Sequence, residues 1–282
     1  MSNFWQRTLS GAVYVTLVVS SILVHPIFFG VLFLMITVLA VREYHHLMQS
    51  SRFQTVGSSI LGALLFLCLW IFNQHNTPVE VWHAIAALYI IGVVAMLVAE
   101  LFLKHSNPIH NWGNTLVSQI MIALPFSLMN NILAYNEYVL LALFILIWIN
   151  DSGAYCVGSL MAKRASGNHK MFPRVSPGKS WEGLIGGIVF ALLTGYLFYS
   201  IGWTDTMRIT HYPLIDSLLF ALTVAIFGTF GDLMESLFKR TIGVKDSGRF
   251  LPGHGGVLDR FDSLLLATPA VYFFFVQLPS WF

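Results

Sequence analysis

The sequence predicts an all-α, polytopic bundle of about nine membrane spans with a cytoplasmic N-terminus, and three observations carry that expectation. Hydrophobic residues fill 56% of the 282 positions and charged residues only 10%, against about a quarter charged in a soluble domain, and the mean hydropathy is +0.73. Apolar runs of spanning length recur along the whole chain. The positive charges collect on one side of those runs. One membrane domain, residues 1–282, is therefore expected, because no stretch is long and polar enough to form a separate globular unit.

The runs follow in order. The first, Thr8–Val24, comes after a short head carrying Arg7 and could pass for a signal peptide. It reads better as an uncleaved span, since Pro26 only briefly interrupts it before a second run over 27–39. That run ends in the polar cluster Arg42, Glu43, His45 and His46. Further runs cover 56–72, 81–103, 116–133, 138–157, 184–201, 214–238 and 264–278. Pro125 breaks the fifth. Threaded through nine spans, the chain puts all of its 15 Lys and Arg except Arg208 on one face, which by the positive-inside rule is the cytoplasm.

The formal charge of +2 is too small to imply nucleic-acid binding. Cys68 and Cys156 lie in apolar runs and are expected to be small packing residues. His45, His46, His105 and His110 show no paired spacing to a carboxylate and are not expected to be ligands. Lys163, Arg164, Lys170 and Arg174 are read first as positive-inside determinants on anionic lipid.

Two polar segments interrupt this pattern. Asp232, Glu235, Ser236, Lys239 and Arg240 fall at helical offsets and form one polar stripe on an otherwise apolar helix. The segment 236–262 then carries Lys245, Asp246, the glycine-rich Pro252–Gly256 turn with His254, and Asp259, Arg260 and Asp262. Such a turn cannot be regular helix and leaves backbone N–H groups free to face an anion. Carboxylates for a metal and cations for phosphates thus share one stretch. In the other segment, Asp151 ends the sixth run, where an acid within hydrocarbon costs about 2.5 to 3.5 kcal/mol and must face water or a partner. The turn Ser176-Pro177-Gly178-Lys179-Ser180 follows, with a cation and hydroxyls suited to phosphate or ribose.

The order Ser236, Lys239-Arg240, Lys245-Asp246, His254-Gly255-Gly256 and Asp259-Arg260-Phe261-Asp262 resembles the signature of the phosphatidate cytidylyltransferases, also called CDP-diacylglycerol synthases. The stretches around Asp151-Ser152 and Ser176-Pro177-Gly178-Lys179-Ser180-Trp181-Glu182-Gly183 are similar to further blocks of that family, from about residue 146 onward. Between Gly158 and Ser176 the linker is longer than the family's compact segment, and Ser180 stands where threonine is frequent. The resemblance implies a multi-pass enzyme of the bacterial inner membrane with a cytoplasm-facing site between its last two or three helices. It implies transfer of the cytidylyl group of CTP to phosphatidate, giving CDP-diacylglycerol and pyrophosphate in phospholipid biosynthesis.

On that reading Asp232 and Asp259 are candidate ligands of Mg²⁺, a hard cation that takes carboxylate and phosphate oxygens, and a second cation beside it is left open. Lys239, Arg240, Lys245 and Arg260 are candidates to hold phosphates, with Asp246 positioning a metal or a basic side chain. Asp151, Ser176, Lys179 and His254 complete the substrate-binding set. The partners implied are CTP, phosphatidate and membrane lipid, with self-association as a homodimer left open. The rival reading is a cation-coupled transporter whose ion site is Asp232, Glu235 and Asp151.

Overall fold

The computed structural model describes residues 3–74, 77–163, 167–207, 212–248 and 255–277. It is an all-α membrane bundle with one small hairpin. Helix α1 is Asn3–Val24, α2 Pro26–Leu47, α3 Arg52–Phe72 and α4 Val79–Leu103. Helix α5 (Pro108–Val117) passes through a π-helical turn, Ser118–Ala123, into α6 (Leu124–Tyr135), and α7 is Glu137–Ala162. Strands β1 (Lys170–Phe172) and β2 (Ser176–Ser180) precede α8 (Trp181–Ser200), α9 (Trp203–Met207) and α10 (Pro213–Thr241). Short α11 (Leu258–Phe261) and α12 (Leu264–Val271), the latter continued by a π turn to Gln277, follow. Seven of these segments are long and apolar enough to cross a membrane, and Thr8–Val24 and Leu264–Gln277 are shorter apolar helices.

Helix ends follow local chemistry rather than hydropathy. Ser51 Oγ accepts from the Gln54 amide at 3.2 Å, Asn136 Oδ1 from Tyr138 at 2.8 Å and Ser180 Oγ from Gly183 at 3.1 Å, so each satisfies an amide that the first turn leaves unpaired. The second apolar run stops at Leu39, yet α2 continues to Leu47. Arg42, Glu43 and His46 therefore sit on helix rather than in a loop, because polar residues end a hydrophobic run without ending a helix. Pro125 likewise does not break its span. It has no N–H to give to the carbonyl four residues back, and the wider π turn over Ser118–Ala123 just before it absorbs the mismatch.

The described residues pack as two compact units. The first comprises Met1–Ala134 and Asp246–Phe261. Its core holds the fully buried Phe29, Phe33, Phe66 and Phe126. Phe261, the variable position of the Asp-Arg-x-Asp block, packs edge-on at 5.9 Å from Phe33 and 5.5 Å from Phe126. Each such aromatic pair contributes about 0.5–1.5 kcal/mol beyond area burial. The polar segment is thereby anchored in this unit's core. The unit also buries Glu100 of α4, which accepts from Gln54 Nε2 and Asn111 Nδ2 at 3.1 Å each and lies 2.9 Å from His105 Nδ1. His105 thus has a carboxylate partner five residues away, which spacing alone did not reveal, because the chain leaves the helix at Lys104 in a left-handed conformation (φ 51°) and folds back.

The second unit comprises Tyr135–Lys245 and Asp262–Phe282. Helices α7 and α8 approach closely at Gly187, where a Cβ would lie 2.6 Å from Asn150 Oδ1. At Gly231 of α10 a Cβ would lie 2.7 Å from the carbonyl of Asp262. Small residues at such crossings let helix backbones meet. The basic linker after α7, read from sequence as loop, contains the antiparallel hairpin β1–β2, which pairs Lys170 with Ser180 and Phe172 with Ser176. Glu182 in the first turn of α8 holds its entry, accepting from the His169 amide at 3.1 Å and lying 2.6 Å from His169 Nδ1. Cys156 is exposed on α7 rather than packed, and Cys68 is buried.

Candidate active site

In the second unit α7, the hairpin, α8 and α10 enclose a cavity of about 480 Å³, within the range of small-molecule sites. Asp151 and Tyr155 line it from α7, Lys170, Ser176 and Lys179 from the hairpin, and Thr229 and Asp232 from α10. The sequence placed Asp151, Ser176, Lys179 and Asp232 in one site, and this cavity brings them together. Lys170 was read only as a topology determinant. It reaches the cavity because the hairpin sets it opposite Ser180, the residue after Lys179.

The central contact is an ion pair. Lys179 Nζ lies 2.7 Å from Asp232 Oδ2, with both side chains mostly shielded, and also donates to the Thr229 carbonyl at 3.4 Å. Ser236 Oγ donates to Asp232 Oδ1 at 3.2 Å from the next turn of α10. One turn further, Lys239 pairs with Glu235, both buried. Arg240 donates from Nε to the Val175 carbonyl at 3.2 Å and from Nη1 to Val244 at 2.9 Å, and so ties the hairpin turn to the end of α10. The stripe read from sequence is thus present, but Lys239 and Arg240 are each engaged within the protein. Lys245 is exposed beyond the helix end.

Asp262 joins this acidic group. Its carboxyl is pushed well above the ordinary carboxylate range, first by burial and then by the nearby charges of Asp232, Glu235 and Asp151, while the Ser263 amide at 2.7 Å offsets part of the shift. The sequence grouped Asp262 with the carboxylates suited to a metal but did not name it as a ligand. The close approach at Gly231 is what brings it beside α10.

The first unit holds the other half of the signature. Asp259 Oδ2 accepts from the amides of Ser247 and Gly256 at 2.8 Å each, closing the neck of the polar segment on itself. Gly255 supplies the turn, with φ at 84° and a Cβ position only 2.4 Å from Asp259 Oδ2. Glu43 of α2, assigned nothing by sequence, accepts from Ser247 Oγ, from the Val257 amide at 2.8 Å and from the Leu258 amide at 3.3 Å. Ser247 Oγ in turn accepts from the Asp259 amide at 3.3 Å. Sequence separation of some two hundred residues hid this link. The carbonyl of Arg260 accepts from Tyr14 Oη at 3.4 Å, Asp246 is exposed, and His254 lies outside the described residues.

Because Glu43 holds both ends of the neck, Glu43→Ala is expected to loosen it. Losing the acceptor for these donors costs about 1–3 kcal/mol, so amide exchange at Ser247 and Val257 should quicken by about tenfold to a hundredfold. Glu43→Gln, which keeps one acceptor oxygen, should fall between. Unchanged exchange in Glu43→Ala would remove Glu43 from this role.

Among the described residues no three His, Cys, Asp or Glu side chains converge to hold a metal by themselves. The donor set nevertheless suits Mg²⁺, which binds through one or two carboxylates and completes its shell with water and substrate phosphates. Asp151 and Asp232 line one cavity whose Lys179 ammonium pairs with Asp232, so carboxylate oxygens are present there for such a cation.

Comparison with known proteins agrees with this chemistry. The model of the cytidylyltransferase family matches residues 5–278. The phosphatidate cytidylyltransferase of Haemophilus influenzae is 32% identical over 96% of this chain and 99% of its own length. That of Bacillus subtilis is also 32% identical, over 97% and 98%. The enzyme of the same name from Staphylococcus epidermidis is 43% identical over half of each chain. With a match that runs from the first helix to the last, the chain belongs to the cytidylyltransferase family.

Proposed function

We propose that this protein transfers the cytidylyl group of CTP to phosphatidate, giving CDP-diacylglycerol and pyrophosphate. The observation that carries the proposal is the cavity of the second unit, where Lys179 and Asp232 meet at 2.7 Å beside Asp151, Lys170 and Ser176, in a chain whose full-length relatives bear that name. The transporter reading of the buried acids has no support in the family or the relatives.

In the reaction a phosphate oxygen of phosphatidate attacks the α-phosphorus of CTP. The bond from that phosphorus to the α,β-bridging oxygen breaks, and pyrophosphate leaves with the electron pair. No general base is required, because the phosphate monoester is already anionic. The protein's task is alignment and charge neutralisation. Lys179 and Lys170 face the cavity and bind triphosphate oxygens, Lys179 exchanging part of its contact with Asp232 for one with substrate. Ser176 offers a hydroxyl to ribose or phosphate, and Asp151 receives donors from the nucleotide. Arg240 and Lys239 position the hairpin and α10, while Lys245, Asp246, His254 and Arg260 belong to the segment that meets substrate phosphates. Asp232 and Asp259 are the proposed Mg²⁺ ligands, and the ion would neutralise charge on the triphosphate and on departing pyrophosphate.

The protein is a multi-pass membrane protein, and we assign its N-terminus and both polar segments to the cytoplasm on the distribution of positive charge. Labelling of a cysteine introduced at Gly167 by an impermeant reagent in intact cells would reverse that assignment. The activity itself is tested with purified protein in detergent, given α-labelled CTP, phosphatidate and Mg²⁺. Labelled lipid with stoichiometric pyrophosphate is expected, and no labelled lipid would overturn the proposal.

A further inference from the structure

The first unit holds a second cavity, of about 1120 Å³, between α2 and α3, above the roughly 300–1,000 Å³ of ordinary small-molecule sites. Its walls change character along their length. On α3, Arg52, Thr55, Val56, Ser59, Ile60 and Ala63 follow at helical offsets and so share one face, cationic at the N-terminal end and mostly apolar beyond, where the Ser59 hydroxyl is turned back to the Thr55 carbonyl. On α2 the order runs the other way, from Val38 and Leu39 to Arg42 and His46. The two helices are joined by the short turn after Leu47, so both cationic ends lie together and both apolar walls extend from them in parallel. Among the described residues neither Arg42 nor Arg52 has a carboxylate partner. Glu43 lines the same cavity, but its carboxylate is taken up by the donors of the Ser247–Leu258 neck.

We infer that this cavity seats phosphatidate, with the phosphate monoester between Arg42 and Arg52 and the acyl chains along Val56, Ile60 and Ala63. The assignment rests on the proposed activity for the identity of the lipid. Charge complementarity selects it. Two guanidinium groups with no carboxylate partner among the described residues, each able to grip phosphate oxygens in a fork, match a monoester that carries up to two negative charges better than a phosphodiester lipid that carries one. An apolar wall running away from those groups matches acyl chains and offers nothing to a nucleotide. The cavity also touches the neck that holds Asp259, since Val257 lines it beside Glu43. A lipid phosphate held there is therefore next to a segment assigned to the reaction.

The test uses full-length protein in mixed micelles at fixed detergent, with two readouts. Binding of dioleoyl phosphatidate and of dioleoyl phosphatidylglycerol is followed by native mass spectrometry without CTP. Turnover is followed against phosphatidate mole fraction and, separately, against CTP. Arg42→Gln and Arg52→Gln are each expected to weaken phosphatidate retention and raise its apparent KM by about tenfold or more, as loss of a charge-assisted contact does, with the KM for CTP unchanged. Ala63→Phe, which keeps both charges and fills the apolar wall, should do the same to the lipid alone. Parent-level retention and KM for phosphatidate in both arginine variants overturn the inference. So does equal loss of phosphatidylglycerol, which would make this a seat for bulk anionic lipid. If the parent retains phosphatidate by way of these arginines yet makes no labelled lipid from CTP, the proposed activity falls and the lipid site stands.

Discussion

Asp232→Asn is expected to abolish Mg²⁺-dependent cytidylyl transfer while the protein still inserts. Asn keeps the volume and can still accept from Ser236, but it removes the negative charge that faces Lys179 at 2.7 Å. Without that charge the cavity loses its proposed metal ligand and the partner that holds the ammonium in place. Removing one preorganised electrostatic group from a reacting centre costs roughly 10²- to 10³-fold in turnover. Asp259→Asn is expected to act as strongly. Its amide oxygen can still close the neck through the Ser247 and Gly256 amides, so the loss would come from charge rather than unfolding. The double variant decides whether the two carboxylates act as one site. If they do, it should be little worse than either single variant, since groups acting as a unit are not additive. Turnover at the parent rate in either single variant, measured with insertion and thermal stability unchanged, would remove that aspartate from the reaction.

Lys179→Ala should lower kcat/KM for CTP by about 10- to 150-fold, the cost of losing a charge-assisted contact of roughly 1.5–3 kcal/mol. The structure adds a second consequence that the sequence did not hold. Because Lys179 also neutralises Asp232, its removal leaves the acidic residues of the second unit in excess, and the Mg²⁺ concentration needed for half-maximal rate should fall as the cation takes over that role. Lys179→Arg keeps the charge but replaces a compact ammonium by a planar fork, and should recover only part of the rate. A Mg²⁺ requirement unchanged in Lys179→Ala would show that the pair with Asp232 does not bear on metal binding. Arg240→Ala differs in kind: its contacts are to the carbonyls of Val175 and Val244, so its effect on CTP use should come through a displaced hairpin.

Hydropathy, charge placement and motif order were enough to recognise a polytopic helical membrane protein, to place each apolar run on a helix and to name the family. These properties are local: each residue contributes to them whatever it later touches. Span boundaries were less legible, because α2 carries its helix past Leu39 into polar residues and the π turn before Pro125 preserves a span that proline alone should interrupt. The site was legible as a set of residue types and not as a set of partners. The pair of Lys239 with Glu235 follows from helix spacing, whereas only the fold pairs Lys179 with Asp232, turns the linker after α7 into a hairpin that brings Lys170 to the cavity, and ties Asp259 to Glu43 through Ser247. Such pairings depend on helix rotation and on how closely backbones approach, as at Gly187 and Gly231. Contacts between residues fifty to two hundred positions apart are set by that packing, and no local pattern in the chain encodes them.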